Sequence, residues 1–202
     1  MYLVHTPQWI QRCFPQLTWR IPTHERNIYL TFDDGPIPDV TPWVLEQLAQ
    51  YDARATFFCV GENIRRHPLI FEQVISAGHR IGSHTHNHLN GWATRTDDYI
   101  ANVHLGAVCA RTTLFRPPYG RLTPAQLRRL QRCYQIVMWD VLSGDFDPQI
   151  RPQDCLDNVL NTYRAGSIIV LHDSLKAQKN LMYVLPRLLA HWKKNGFRLL
   201  AL

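Results

Sequence analysis

The five cysteines, Cys13, Cys59, Cys109, Cys133 and Cys155, form no Cys-x-x-Cys pair and are odd in number, so neither a zinc knuckle nor a closed disulfide framework is indicated. Cys59 and Cys133 sit in apolar surroundings and read as core thiols, a usage that suits a reducing compartment. No apolar run approaches the ~20 residues of a membrane-spanning helix, and there is no Gly/Ser-rich linker, low-complexity tract or internal repeat. The first twenty residues lack a basic start followed by an apolar stretch. The expectation is a cytoplasmic protein without a membrane span. An exported site stays open, because a chain stripped of its leader would look the same.

One-signed charge is also missing. Lys and Arg number 22 against 16 Asp and Glu, a net +6, but the basic residues are dispersed. Arg65-Arg66, Arg128-Arg129 and Lys193-Lys194 fall inside helical patterns, where a solvated helix face is expected and a nucleic-acid partner is not. With 202 residues, 46% of them hydrophobic, the chain suits one sizeable core and a single domain. Nothing sets an oligomeric state.

What is present is an alternation of short apolar strands and amphipathic helices. Strands are predicted over Asn27 to Phe32, Ala55 to Val60, His79 to Ser83, Leu114 to Arg116, Tyr134 to Trp139, Ser167 to His172 and Phe197 to Leu200. Alternation of this kind predicts an α/β fold with a parallel sheet or barrel. Thr41-Pro42 and Thr123-Pro124 each read as an N-cap followed by proline at the first helical position, with Gln126 completing a capping box. Gly78, Gly166 and Gly196 mark helix ends, and Gly106 interrupts a helix between Gly91 and Arg111. The clusters Asp33-Asp34, His84 to His88, Arg116 to Gly120, Asp140 to Asp145 and His172-Asp173 all follow predicted strands. That edge is where parallel α/β folds build ligand sites.

Two clusters carry metal chemistry. Adjacent carboxylates at Asp33-Asp34 cannot both be buried as free anions without a cation or a shared proton; one can bind metal while the other acts as a base, although Asp34-Gly35 also reads as an ordinary turn. His84 and His88 are four apart, so in a helical turn they share a face and can grip one ion, with His86 directed elsewhere. A carboxylate and two imidazoles leave coordination positions open for water and substrate. Zinc suits such a set, and cobalt, nickel or iron(II) also fit.

In order and spacing, Thr31-Phe32-Asp33-Asp34-Gly35, the H-T-x-x-H of His84 to His88, Arg116-Pro117-Pro118-Tyr119-Gly120 and Leu171-His172-Asp173 resemble the motifs of polysaccharide deacetylases with a NodB homology domain, carbohydrate esterase family 4. Ala53 to Phe58, followed by Val60-Gly61, fits the same pattern. The resemblance implies residues 28–202 as a NodB-like domain, a distorted (β/α)7 barrel, preceded by an N-terminal extension over 1–27. It also implies a divalent-metal enzyme that removes N-acetyl groups from an N-acetylglucosamine-type glycan. By the same resemblance Asp34, His84 and His88 are the metal ligands and Asp33 the general base. Arg116 orients that base, the backbone N–H of Tyr119 serves the oxyanion beside Pro118, and His172 is the general acid with Asp145 tuning it.

The fourth motif departs from the family's D-x-x-D-W. Here it reads Leu142-Ser143-Gly144-Asp145-Phe146, so Leu142 replaces one acid and Phe146 the tryptophan. Phe146, Pro118, Tyr119 and Val170 are the expected substrate walls, Val170 standing where the family usually has leucine. Two other readings fit the sequence: hydrolysis of small non-sugar amides or ureides, and a silent glycan-binding module. Asp140 is close by but has no place in the motif.

Overall fold

The computed structural model describes residues 2–202. Among these residues eight strands and eight helices follow one another, alternating except at α3–α4 and β5–β6: α1 (Gln8–Cys13), β1 (Asn27–Asp33), α2 (Val40–Ala49), β2 (Thr56–Cys59), α3 (Gly61–Arg66), α4 (Pro68–Ser76), β3 (Arg80–Ser83), α5 (Thr96–Ala110), β4 (Leu114–Phe115), α6 (Pro124–Leu130), β5 (Gln135–Ile136), β6 (Val141–Leu142), α7 (Pro152–Leu160), β7 (Ile168–His172), α8 (Gln178–Lys194) and β8 (Arg198–Leu199). The strands form one curled parallel sheet in the order β5-β4-β3-β2-β1-β7-β6, with β8 pairing the first residues of β1. This is the distorted barrel expected of a NodB-like fold. The strand not foreseen, β6, is only two residues long and runs into the first residue of the fourth motif, Leu142.

β1 is the central strand, and its alternation divides the interior. Ile28, Leu30 and Phe32 face outward into the main core, against Val44 and Leu48 of α2, Val74 of α4 and Leu181, Leu185, Leu188 and Trp192 of α8. Each such side chain removed from water contributes about 1.5–3 kcal/mol. Tyr29 belongs to a second cluster with Phe58, Leu114, Val137 and Ile168, which fills the inside of the curl. β5 and β6 do not pair. The segment before β1 runs along both: Thr18 exchanges backbone hydrogen bonds with Ile136 and Met138, Thr6 N–H donates to Asp140 O, and Leu142 N–H donates to Val4 O. Unpaired edges are thereby covered.

Several local expectations need correction. Thr41 does not cap α2; the helix begins at Val40, and the Thr41 hydroxyl instead donates to Asp173 Oδ2 at 2.6 Å. Gly106 does not interrupt α5, because a Cβ there would lie 2.4 Å from the Thr85 carbonyl carbon, so glycine permits close helix–loop packing. The residues before α5 form a separate 3-10 turn, Gly91–Ala93. Cys133 is exposed, whereas Cys59 and Cys155 are the buried thiols. Thr123 and Gln126 do form the capping box of α6. The three doublets Arg65-Arg66, Arg128-Arg129 and Lys193-Lys194 sit exposed in the last turns of α3, α6 and α8, where cations complement the helix dipole.

Candidate active site

Strand register brings the motifs to one edge. Asp33 is opposite His172 on β7 and Phe58 on β2, while Ser83 pairs with Phe115. Arg116 N–H donates to Ser83 O, and His84 N–H to Cys59 O. Asp33, Asp34, the His84–His88 loop, Arg116 and His172 therefore leave neighbouring strands at the same level. The loop carrying the histidines is not helical, contrary to the i,i+4 expectation. Thr85 and His88 have φ of 63° and 55°, and Asp34 and Tyr119 have 87° and 60°. Left-handed backbone at non-glycine residues, β-branched threonine above all, is costly and concentrates at sites the surroundings over-determine.

Asp34, His84 and His88 each offer a ligand atom, and these atoms all lie within 4.8 Å of one another. His84 is buried, and its Nδ1 is 2.8 Å from Arg116 O. That carbonyl can only accept, so Nδ1 carries the proton and Nε2 is left with its lone pair for the triad. Burial pushes His84 down to about 4, against the opposing pull of Asp33, and the imidazole is neutral as a ligand must be. Burial alone would raise Asp34, yet His88, His172 and His84 hold it well below the usual carboxylate range. Asp34 Oδ1 is buried with no hydrogen-bond partner. An orphaned carboxylate oxygen facing two imidazole nitrogens at 3.2 and 3.8 Å fits a divalent cation. His86 is buried elsewhere, near Cys109.

Asp33 is held by Arg116. Nη1 donates to Asp33 Oδ1 and to Thr31 Oγ1, each at 2.7 Å, while Nε and Nη2 donate to Val137 O and Met138 O. The pairing with Asp33 uses one nitrogen and one oxygen and is not bidentate. Arg116 is wholly buried with its guanidinium 4.1 Å above the Phe58 ring. Burial lowers its pKa and Asp33 opposes that; arginine remains charged regardless.

Across the cleft, His172 Nδ1 is 2.7 Å from Asp145 Oδ1, and His172 N–H donates to Asp145 Oδ2 at 2.7 Å. Burial disfavours the imidazolium, but Asp145, with smaller help from Asp34 and Asp33, raises His172 to about 9. Phe146 packs its ring 5.0 Å from His172, nearly edge-on, and on its other side meets Tyr2 at 5.0 Å. Pro118 is buried and Tyr119 exposed in a 3-10 turn, and the Tyr119 ring lies 4.9 Å from His88. Val170 is buried on the β7 face shared with His172, and Leu142 is its partner on β6. Asp140 is fully buried but bound to Arg164, Ser167 and Gln11, away from His172.

Two supporting residues, Asp173 and Asn63, have no role assigned from the sequence. Asp173 accepts from Gly35 N–H at 3.0 Å and from Thr41, and a Cβ at Gly35 would lie 2.0 Å from its Oδ2. This clamp, together with Asn63 Nδ2 donating to Asp34 O at 2.7 Å, fixes the loop that carries Asp34. Asp173 directly follows His172 in the Leu171-His172-Asp173 motif, where the sequence marks an acid at the strand end; Asn63 gives no signal in the sequence.

Known proteins complete the comparison. The polysaccharide deacetylase family model matches residues 20–137. A peptidoglycan-N-acetylglucosamine deacetylase of Bacillus cereus is 35% identical over 193 residues, covering 90% of this chain and 89% of its own. A chitooligosaccharide deacetylase of Azorhizobium caulinodans is 35% identical over 172 residues, with 81% of each covered. The crystal structure of a peptidoglycan N-acetylglucosamine deacetylase in complex with 4-naphthalen-1-yl-N-oxidanyl-benzamide superposes with a TM-score of 0.88 at 28% identity, covering 98% of this chain and 95% of that one. On this identity, the matched family model and the shared fold, the chain belongs to the polysaccharide deacetylases with a NodB homology domain, carbohydrate esterase family 4.

Proposed function

We propose that this protein removes N-acetyl groups from an N-acetylglucosamine-type polysaccharide or oligosaccharide in a reaction that depends on a divalent metal, zinc by ligand chemistry. The carrying observation is that Asp33 and His172, opposite one another on adjacent strands beside the Asp34–His84–His88 triad, are each held by a partner of opposite charge, Arg116 and Asp145. Bound by that triad, a divalent ion would supply Lewis acidity to the acetyl carbonyl and to a water.

Asp33 takes the proton of the attacking water, with Arg116 fixing the carboxylate's position. The Tyr119 backbone N–H donates to the developing oxyanion; a well-placed donor of this kind is worth about 3 kcal/mol. His172, protonated through Nδ1–Asp145, gives the Nε2 proton to the departing sugar nitrogen, so the C–N bond breaks to release acetate and a free amine. Phe146 and Val170 form the apolar wall beside the acid.

The test is acetate release from an N-acetylglucosamine oligomer by metal-loaded and chelator-treated protein, with a cyclic ureide assayed in parallel. Acetate release that chelation abolishes and metal restores is expected. Turnover of the ureide alone, or acetate release unaffected by chelation, overturns the proposal.

A further inference from the structure

At the end of the sheet opposite the candidate active site, the segment before β1 forms one wall of an open cavity of about 670 Å³. Gln135 opens β5 and Arg164 lies just before β7, while Thr18 pairs with Val137 and Arg20 with Ser167, so the cavity sits toward the N-terminal ends of the strands. Its lining includes Arg12, Arg20 and Arg164 and no aspartate or glutamate. Guanidinium groups from separate parts of the chain share this space, and like charges gathered without counter-charge repel. Arg164 is offset, because its Nε and Nη2 both donate to the buried Asp140 at 3.2 Å. Arg12, exposed in the last turn of α1, and Arg20, half-buried, form no ion pair among the described residues. Arg20 Nη2 donates to Ala165 O at 3.3 Å, and its Nε is buried with no hydrogen-bond partner. A buried N–H left unpaired is costly, and more so on a cation.

The walls are held by the chain's own hydrogen bonds. Gln11 Nε2 donates to Thr6 O at 2.9 Å and to Asp140 Oδ1 at 3.0 Å, seating α1 on the carboxylate that holds Arg164. Trp19 Nε1–H donates to Phe14 O at 3.0 Å, closing the loop between them. Ile21 N–H donates to Gly166 O at 2.9 Å, and a Cβ at Gly166 would lie 2.0 Å from Ile21 O, so glycine admits the segment that carries Arg20. Leu17, Trp19 and Ile21 give the same cavity an apolar side.

We infer that this cavity binds an organic phosphate monoester: Arg12, Arg20 and Arg164 hold the dianionic phosphate, and Leu17, Trp19 and Ile21 meet the body that carries it. A phosphate monoester matches the two unneutralised charges, and guanidinium groups give it paired hydrogen bonds. The volume falls within the roughly 300–1,000 Å³ of small-molecule sites, more than a phosphate alone needs. Sugar phosphates and nucleotides share this chemistry. The site lies away from the deacetylation centre and does not depend on it.

The experiment is isothermal titration calorimetry of the full chain with glucose-6-phosphate, adenosine monophosphate, inorganic phosphate and glucuronate, with glucose and adenosine as uncharged controls. At least one organic phosphate is expected to bind about ten-fold or more tightly than inorganic phosphate and glucuronate. Salt should weaken that binding, and the uncharged controls should not bind. The tighter of the two organic phosphates identifies the body as a sugar or a nucleoside. Arg20→Gln should weaken the binding by roughly ten-fold or more. Because Arg20 also ties down Ala165, the exposed Gln135→Glu, which sets a carboxylate in the wall, serves as a second variant and should weaken it similarly. Arg187→Gln, exposed on α8, should leave it unchanged. The site is overturned if no organic phosphate binds at millimolar concentration, or if none binds better than inorganic phosphate or glucuronate. Binding unchanged in either cavity variant that folds, or an equal loss in Arg187→Gln, overturns it too.

Discussion

A buried histidine and a half-buried one at the same sheet edge are tuned in opposite directions. His84 is pushed down to about 4 and His172 up to about 9. Both lose water, which disfavours the charged form. What separates them is the partner of Nδ1: the Arg116 carbonyl for His84, the Asp145 carboxylate for His172. A carbonyl fixes the tautomer without adding charge, and Arg116 and His88 add positive charge that disfavours a second cation. A carboxylate fixes the same tautomer and stabilises the imidazolium. These opposite settings are what the proposed reaction asks of a cation ligand at His84 and a proton donor at His172.

The comparison breaks most completely at the triad. Under the proposed metal-dependent reaction, His84→Ala should lower metal content in elemental analysis and reduce acetate release by roughly a thousand-fold or more, since the proposed Lewis acidity would be lost. Full metal occupancy in this variant contradicts the ligand assignment. Asp33→Asn should retain the metal and lose about a hundred-fold or more in kcat; metal loss there, with retention in Asp34→Asn, would exchange the roles of the two carboxylates.

On the other side, Asp145→Asn should leave metal content intact, lower the rate near neutrality by roughly ten-fold, and move the alkaline limb of the pH–rate profile from near 9 toward the ordinary imidazole value. The same shift has a stability counterpart. Because the folded pKa lies above the ordinary 6.5, the His172–Asp145 pair contributes its full stabilisation below about 6.5 and loses it as pH rises through about 9. Urea unfolding of the wild type across that window should show the loss, and Asp145→Asn should flatten it. The smallest effect is expected at Phe146→Leu, which removes the ring edge from His172 and should change kcat/KM by only a few-fold with the alkaline limb nearly in place.

Most of this arrangement is legible in the amino-acid sequence, for a physical reason. The chemistry resides at strand ends, and period-two apolar runs such as Ile28-Leu30-Phe32 announce where β1 ends and therefore where Asp33 and Asp34 emerge. Thr123 and Gln126 were legible because a capping box is closed within four residues. What failed depended on distant partners. Thr41 resembles an N-cap locally, but Asp173, 132 residues away, takes its hydroxyl. The spacing of His84 and His88 suits a helix, yet the loop is bent by Thr85 and His88 at positive φ and packed against α5 at Gly106. Cys133 lies in an apolar stretch whose tertiary placement leaves it outside. Strand β6 is too short to carry a periodic signal, and the coverage of β5 and β6 by residues 4–18 is a long-range pairing that no local pattern encodes.

The division of labour between the two histidines is measured most directly by long-range 1H–15N NMR of the imidazole nitrogens, titrated on metal-free protein with His84→Ala and His172→Ala for assignment. His84 is predicted to remain neutral, protonated at Nδ1, throughout the neutral range, and His172 to stay doubly protonated until it titrates near 9. A His172 that is already neutral at pH 7, or a His84 that is charged there, would contradict the account.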